Sequence, residues 1–276
     1  MAQLDRQILE VLTADHPQSV RHVYYRMTDP RLPEPVEKTD KGYKSVQRRC
    51  VELRRDGRLP YNWLSDTGRR GYFVNTFSGA SSFIRRMASL YRADLWQQAD
   101  FKCEVWCESR SIAGVIQADC EELAVSLYPA GGFSSITFAA DAAHAMNVGN
   151  DGREIIIFYI GDYDPAGVLI DVSLESELRR HLDPDVEMRF ERIGITREQV
   201  ERYDLPRKPR KESDKRSLHV EYAVEAEAMP AGVLRRLLRD RIEELLPPRA
   251  LEIAKVAEAR EQEQLEWIAN AFDTEA

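Results

Sequence analysis

Residues 155–160, Ile-Ile-Ile-Phe-Tyr-Ile, restrict the fold of this 276-residue chain more than any other stretch. A run this short, β-branched and aromatic, bounded by Gly161, has the pattern of a strand buried on both faces of a parallel sheet. It stops at Gly161-Asp-Tyr-Asp-Pro-Ala-Gly167. Asp162 and Asp164 therefore fall at the strand's carboxyl end, the edge at which open α/β sheets bind ligands. One residue apart on an extended segment, the two carboxylates project to the same side, within reach of one hard cation such as Mg2+. A plainer duty fits the same residues, with Asp164 capping a helix that begins at Pro165.

The neighbouring segments supply the rest of a sheet. Residues 101–107 alternate like a strand and end at Glu108, after which Ile112, Val115, Ile116 and Cys120 are spaced for a helix. Residues 129–133 are expected to turn, 136–138 to form a short strand and 139–147 a helix. A helix over 168–182 and a strand over 187–193 follow the central run. This β-α-β-α-β alternation predicts a parallel sheet that places Glu108, Asp162 and Asp164 on one edge if their strands are neighbours.

The first hundred residues read differently. Residues 3–13 and 19–28 have helical periodicity, the second with Val20, Val23, Tyr24 and Met27 on its buried face. By the helical wheel Tyr25 points away from that face, with Arg21 one turn earlier on the same side. An exposed tyrosine beside an arginine is either an ordinary surface pair or a nucleophile whose phenolate the cation favours. Residues 29–40 read as a loop. A third helix, over 41–56 and stopped by Gly57, sets Tyr43, Val46, Cys50 and Leu53 opposite Lys41, Lys44, Arg48 and Arg55. This basic face, continued by Arg58, Arg69 and Arg70, is either solvated or suited to nucleic-acid phosphates. Residues 63–74, centred on Gly68, are expected to form a small hairpin or wing, and 78–98 a bridging helix.

Charge separates the two halves. Residues 1–100 carry 17 Lys and Arg against 12 Asp and Glu, whereas the remainder carries 22 against 35, so a net charge of −8 conceals a basic region joined to an acidic one. The Pro-interrupted basic stretch 205–216 is a solvated loop or a second phosphate contact. The four cysteines show no Cys-x-x-Cys pair and the five histidines no ligand spacing, which argues against structural zinc. No apolar run approaches the roughly 20 residues of a bilayer span, and the first residues lack a signal peptide's apolar core. A cytoplasmic protein with no membrane contact is the expectation.

A lone Glu after one strand and Asp-x-Asp after a later one resembles the Toprim domain, carried here by Glu108 and by Asp162-Tyr-Asp164-Pro-Ala-Gly167. Within that superfamily the chain most resembles the A subunit of topoisomerase VI and the related meiotic double-strand-break protein. Arg21-His-Val-Tyr-Tyr25 is similar to the family's Arg-Asp-x-Tyr-Tyr stretch, with His22 in place of the acidic residue. Gly132-Phe133 resembles its Gly-Tyr-Pro segment. The run 192–199 with Leu205-Pro206 and 211–216, and Val224-Glu-Ala-Glu-Ala-Met-Pro230, resemble its later motifs in the same order.

The resemblance implies an α/β chain with an N-terminal winged helix over 1–77, the bridging helix over 78–99, a Toprim-type parallel sheet over 100–200 and a largely helical C-terminal extension over 201–276. It implies a Mg2+-dependent topoisomerase-like enzyme that makes double-strand breaks in DNA. Tyr25 would form a phosphotyrosyl bond, Arg21 would position the phosphate, and Glu108, Asp162 and Asp164 would hold the metal, with Glu108 able instead to relay a proton. Lys41, Lys44, Arg48, Arg55, Arg69 and Arg70 would meet double-stranded DNA. The implied partners are a second copy, whose carboxylates face the tyrosine of the first, and a separately encoded ATPase B-type subunit. Two rivals share the motifs: a metal-dependent nuclease using water, and a non-catalytic DNA-binding protein.

Overall fold

The computed structural model describes residues 2–65, 74–131, 136–210, 217 and 219–274. Its elements in chain order are α1 (Ala2–Ala14), α2 (Val20–Met27), α3 (Asp40–Arg55), α4 (Ala80–Leu90), β1 (Phe101–Cys107), α5 (Arg110–Glu122), β2 (Ser126–Pro129), α6 (Ile136–Val148), β3 (Glu154–Ile160), α7 (Gly167–His181), β4 (Met188–Gly194), α8 (Arg197–Arg202), β5 (Lys208–Pro209), β6 (Tyr222–Ala223), α9 (Ala231–Glu243) and α10 (Ala250–Thr274). Two compact units result. One comprises Met1–Gly68 with Phe101–Ile242, the other Arg69–Asp100 with Glu243–Ala276.

In the first unit β2, β1, β3 and β4 lie in that order in one sheet, all parallel. The central strand β3 is buried from Ile155 to Ile160, as a run without polar alternation requires. Cys107 is paired with Ile160, so β1 and β3 end level. One core packs Trp106, Ile155, Ile157 and Tyr159 against Ala139, Ala143 and Met146 of α6 and Ile170, Leu174 and Leu178 of α7. Burial of these large side chains contributes about 2 kcal/mol each.

The same unit contains α1, α2 and α3. Ser19 caps α2 and Thr39 caps α3, each accepting from a backbone N–H three residues on. Val46, Cys50 and Leu53 are buried as their spacing predicts. Asp5 on α1 accepts two hydrogen bonds from Arg49 on α3, at 2.6 and 2.5 Å, which holds its carboxyl below the usual range.

Several expectations need correction. Residues 136–138 open α6 instead of forming a strand. Three apolar residues fit either element, and the alanine-rich sequence beyond them extends as helix. The strand on that side is β2, at the sheet edge, where half-exposed residues leave no apolar run to read. The helix expected over 78–98 ends at Leu90, beyond which Tyr91 is extended. Most of the expected wing, including Gly68, Arg69 and Arg70, lies outside the described residues, as do Gly132-Phe133 and 211–216; Trp63 closes a 3-10 turn and stacks on His16.

A candidate metal centre at the sheet edge

Level strand ends carry Glu108 and Asp162 to one place: the Glu108 Oε2 accepts from the Asp162 backbone N–H at 3.0 Å. The segment after β3 is then pinned from two sides. Arg192 of β4 binds Asp171 at 2.6 Å and donates to the carbonyls of Gly161 at 3.1 Å and Gly167 at 2.7 Å. On the other side Tyr163 and Val224 exchange backbone hydrogen bonds of 2.9 and 2.8 Å, an antiparallel bridge that lays residues 224–227 alongside 162–164. The Ala226 N–H donates to Asp162 Oδ1 at 2.8 Å.

This bridge adds Glu225 and Glu227 to the cluster. Glu227 is buried and accepts from the hydroxyls of Ser109, at 3.2 Å, and Ser111. Burial, then the charges of Glu108 and Glu227, pushes Asp162 up to about 8, against the hydrogen bond from Ala226. Glu108 is also raised, first by burial and then by Asp164 and Glu227, while the Asp162 N–H and Arg192 oppose the shift. Carboxyl groups crowded without enough cations form an electrostatic deficit that a divalent ion could fill.

Asp164 performs the plainer duty. Its Oδ1 accepts from the N–H groups of Ala166 at 2.9 Å and Gly167 at 2.6 Å, holding the first turn of α7, although that helix starts two residues later than a Pro165 start requires. One oxygen each of Glu108, Asp162 and Asp164 has no hydrogen bond among the described residues. No three His, Cys, Asp or Glu side chains among those residues already converge as a metal cage. Gly167 is required by close approach: a Cβ there would meet the Asp162 carbonyl oxygen at 2.2 Å. Gly167→Ala is expected to cost about 2–3 kcal/mol in urea unfolding, because the contact is with backbone that Arg192 holds in place.

The sequence places Tyr25 on an exposed face, and the structure corrects this. Tyr25 is only 3% exposed. The wheel assumes one buried face, but α2 packs against α1 and α3 on one side and against the 3-10 turn Ala226–Ala228 on another. Arg26 donates to the Ala228 carbonyl at 2.5 Å across that contact. The expected pairing of Arg21 with the phenol is also corrected. Arg21 binds Glu225 at 2.7 Å, and Lys208 and the Tyr25 hydroxyl share the same carboxylate. Burial, then the Glu225 charge, pushes the Tyr25 phenol well above its ordinary range, outweighing Arg21.

No match is returned by comparison with protein-family models, curated proteins or solved structures. The site sets the Glu108 carboxylate on the Asp162 backbone N–H, leaves Asp164 on the first turn of α7, and places Tyr25 and Arg21 on Glu225. Lys41, Lys44, Arg48 and Arg55 lie exposed along α3, with Arg48 3.9 Å from Glu52. Sequence reasoning gives no site role to Glu225 or Glu227, and reads Lys208 only as part of the basic stretch 205–216. The available signal was Glu-Ala-Glu, whose alternation matches Asp-Tyr-Asp: carboxylates one residue apart, here between the buried Val224, Ala226 and Ala228.

Proposed function

We propose that the chain is a Mg2+-dependent DNA-cleaving enzyme with an N-terminal winged helix and a Toprim-type sheet, working as the resemblance to the topoisomerase VI A subunit implies. One observation carries this reading: two carboxylates from neighbouring strands meet at the sheet edge with too little positive charge around them. An all-oxygen donor set of Glu108, Asp162 and Asp164 fits a hard cation. Bound there, Mg2+ would neutralise charge on the scissile phosphate and its leaving oxygen.

The chain's own groups perform the rest. The Tyr25 oxygen forms a bond to phosphorus as a backbone P–O bond breaks, the phenolic proton passes to Glu225, and the released sugar oxygen takes up a proton from water. Arg21 shifts from Glu225 to the phosphate as that carboxylate becomes neutral. The exposed cations of α3 hold the duplex by its backbone. A second copy supplies the second cut. Tyr25→Phe is expected to abolish a covalent protein–DNA adduct, read as plasmid DNA whose mobility depends on proteinase digestion. Adduct persisting in that variant would refute the role given to Tyr25.

The burial of Tyr25 favours a second reading, in which water attacks and the tyrosine holds Glu225 in place. Cleavage surviving Tyr25→Phe, with no adduct in either protein, would select it.

A further inference from the structure

In the second unit α10 packs along α4. Ala254 and Ala269 are buried on its inner face, Glu258 pairs with Arg92 at 2.9 Å, and Gln262 donates to the Tyr91 carbonyl at 3.2 Å. These positions recur every three or four residues and so use one side of the helix. The opposite side carries a second stripe at the same spacing: Ile253, Val256, Arg260, Glu263 and Trp267. It is open to solvent, with Ile253 64%, Val256 53% and Trp267 73% exposed. A tryptophan this exposed, in line with two β-branched residues, costs solubility that a solvated helix has no reason to bear.

The stripe's order identifies what covers it. Spacing of three, four, three and four residues alternates the a and d positions of a heptad. Read in the reverse direction, the central part of the stripe is complementary to itself. In an antiparallel pair a single register sets Val256 against Trp267 of the second copy, Arg260 against Glu263 of the second copy, and the reciprocal contacts by symmetry. Each pairing joins an a position to a d position, as antiparallel coiled coils require. A two-fold interface demands such self-complementarity. Arg260 and Glu263 have no ion-pair partner within the chain among the described residues.

We propose that α10 is a dimerisation element, pairing antiparallel with α10 of a second copy through Val256, Trp267 and the reciprocal Arg260–Glu263 ion pairs. The inference concerns a surface outside the acidic site and stands whether or not the chain cuts DNA. Sedimentation equilibrium of the full chain is expected to show a monomer–dimer equilibrium in the micromolar range. Trp267→Glu should raise the dissociation constant about a hundredfold, since it replaces the largest apolar side chain of the pairing with a charge. Arg260→Glu and Glu263→Arg should each raise it about tenfold, because each converts two attractive contacts into repulsive ones. An equimolar mixture of these two variants, and the double variant Arg260→Glu/Glu263→Arg, should recover wild-type association. All the substituted side chains are exposed, and circular dichroism would verify that helix content is kept. A wild-type chain that stays monomeric would overturn the proposal. So would a dimer indifferent to Trp267→Glu, or charge reversals that the mixture and the double variant fail to rescue.

Discussion

Asp162→Asn is expected to reduce Mg2+-dependent DNA cleavage on the order of a thousandfold while leaving the chain folded. The substitution suits the site because asparagine keeps the oxygen that accepts from the Ala226 N–H. It removes only a negative charge that burial, and then Glu108 and Glu227, already oppose. In chelator, the variant should therefore melt no lower than the wild type. The two proteins should separate when Mg2+ is added. Wild-type chain binding the ion only when folded gains about 2.7 kcal/mol at a hundredfold excess over the dissociation constant, and the variant should lose most of that gain. Thermal melts with and without Mg2+ thus report on the metal site independently of cleavage. Equal Mg2+ stabilisation of both proteins would remove Asp162 from the ligand set.

A second large effect is expected from His22. Its ring is buried on α2, with Nδ1 2.9 Å from the Ser19 hydroxyl and Nε2 without a partner among the described residues. Burial, assisted by the cations of Arg26 and Arg235, pushes it down to about 3. The unfolded imidazole takes up its proton near pH 6.5, whereas the folded one refuses it until about pH 3. Between those values the unfolded state binds more protons, so stability is present above pH 6.5 and is lost as pH falls. At pH 4 the loss from this residue amounts to about 3 kcal/mol. His22→Leu retains the apolar volume and removes the titration. Urea midpoints measured at pH 7 and pH 4 should show the wild type losing about that much more than the variant. Equal losses would mean that the ring is protonated without opening α2.

The parallel sheet was legible because its signal is local. An uninterrupted β-branched run with helical spacing on both sides has few solutions, and strands ending at Glu108 and at Gly161 put their carboxylates on one edge. The edge strand β2 was not legible, since a strand with one neighbour and half-exposed side chains has no apolar run to mark it. At Asp164 two readings were open from sequence. The hydrogen bonds to Ala166 and Gly167 realise the cap, and the oxygen left over keeps the other duty chemically open.

Tyr25 marks the limit of the helical wheel. Periodicity tells which residues of α2 share a side, but not how many sides are covered, and the second cover comes from residues 226–228, about two hundred positions away. The same turn delivers Glu225 and Glu227. Hence the residues that set the charge of the cluster and the proton state of Tyr25 depend on a long-range contact that no local pattern encodes.

By itself the sequence determined the central parallel strands and the placing of Glu108, Asp162 and Asp164 just beyond their carboxyl ends. These follow from hydrophobic period and chain direction, which act over a few residues. Only the tertiary structure decided that Tyr25 is buried, that Arg21 serves Glu225, and that Glu225 and Glu227 join Glu108 and Asp162. Those outcomes depend on which distant backbone closes over a surface, and burial together with like charge then fixes the protonation of what lies beneath it.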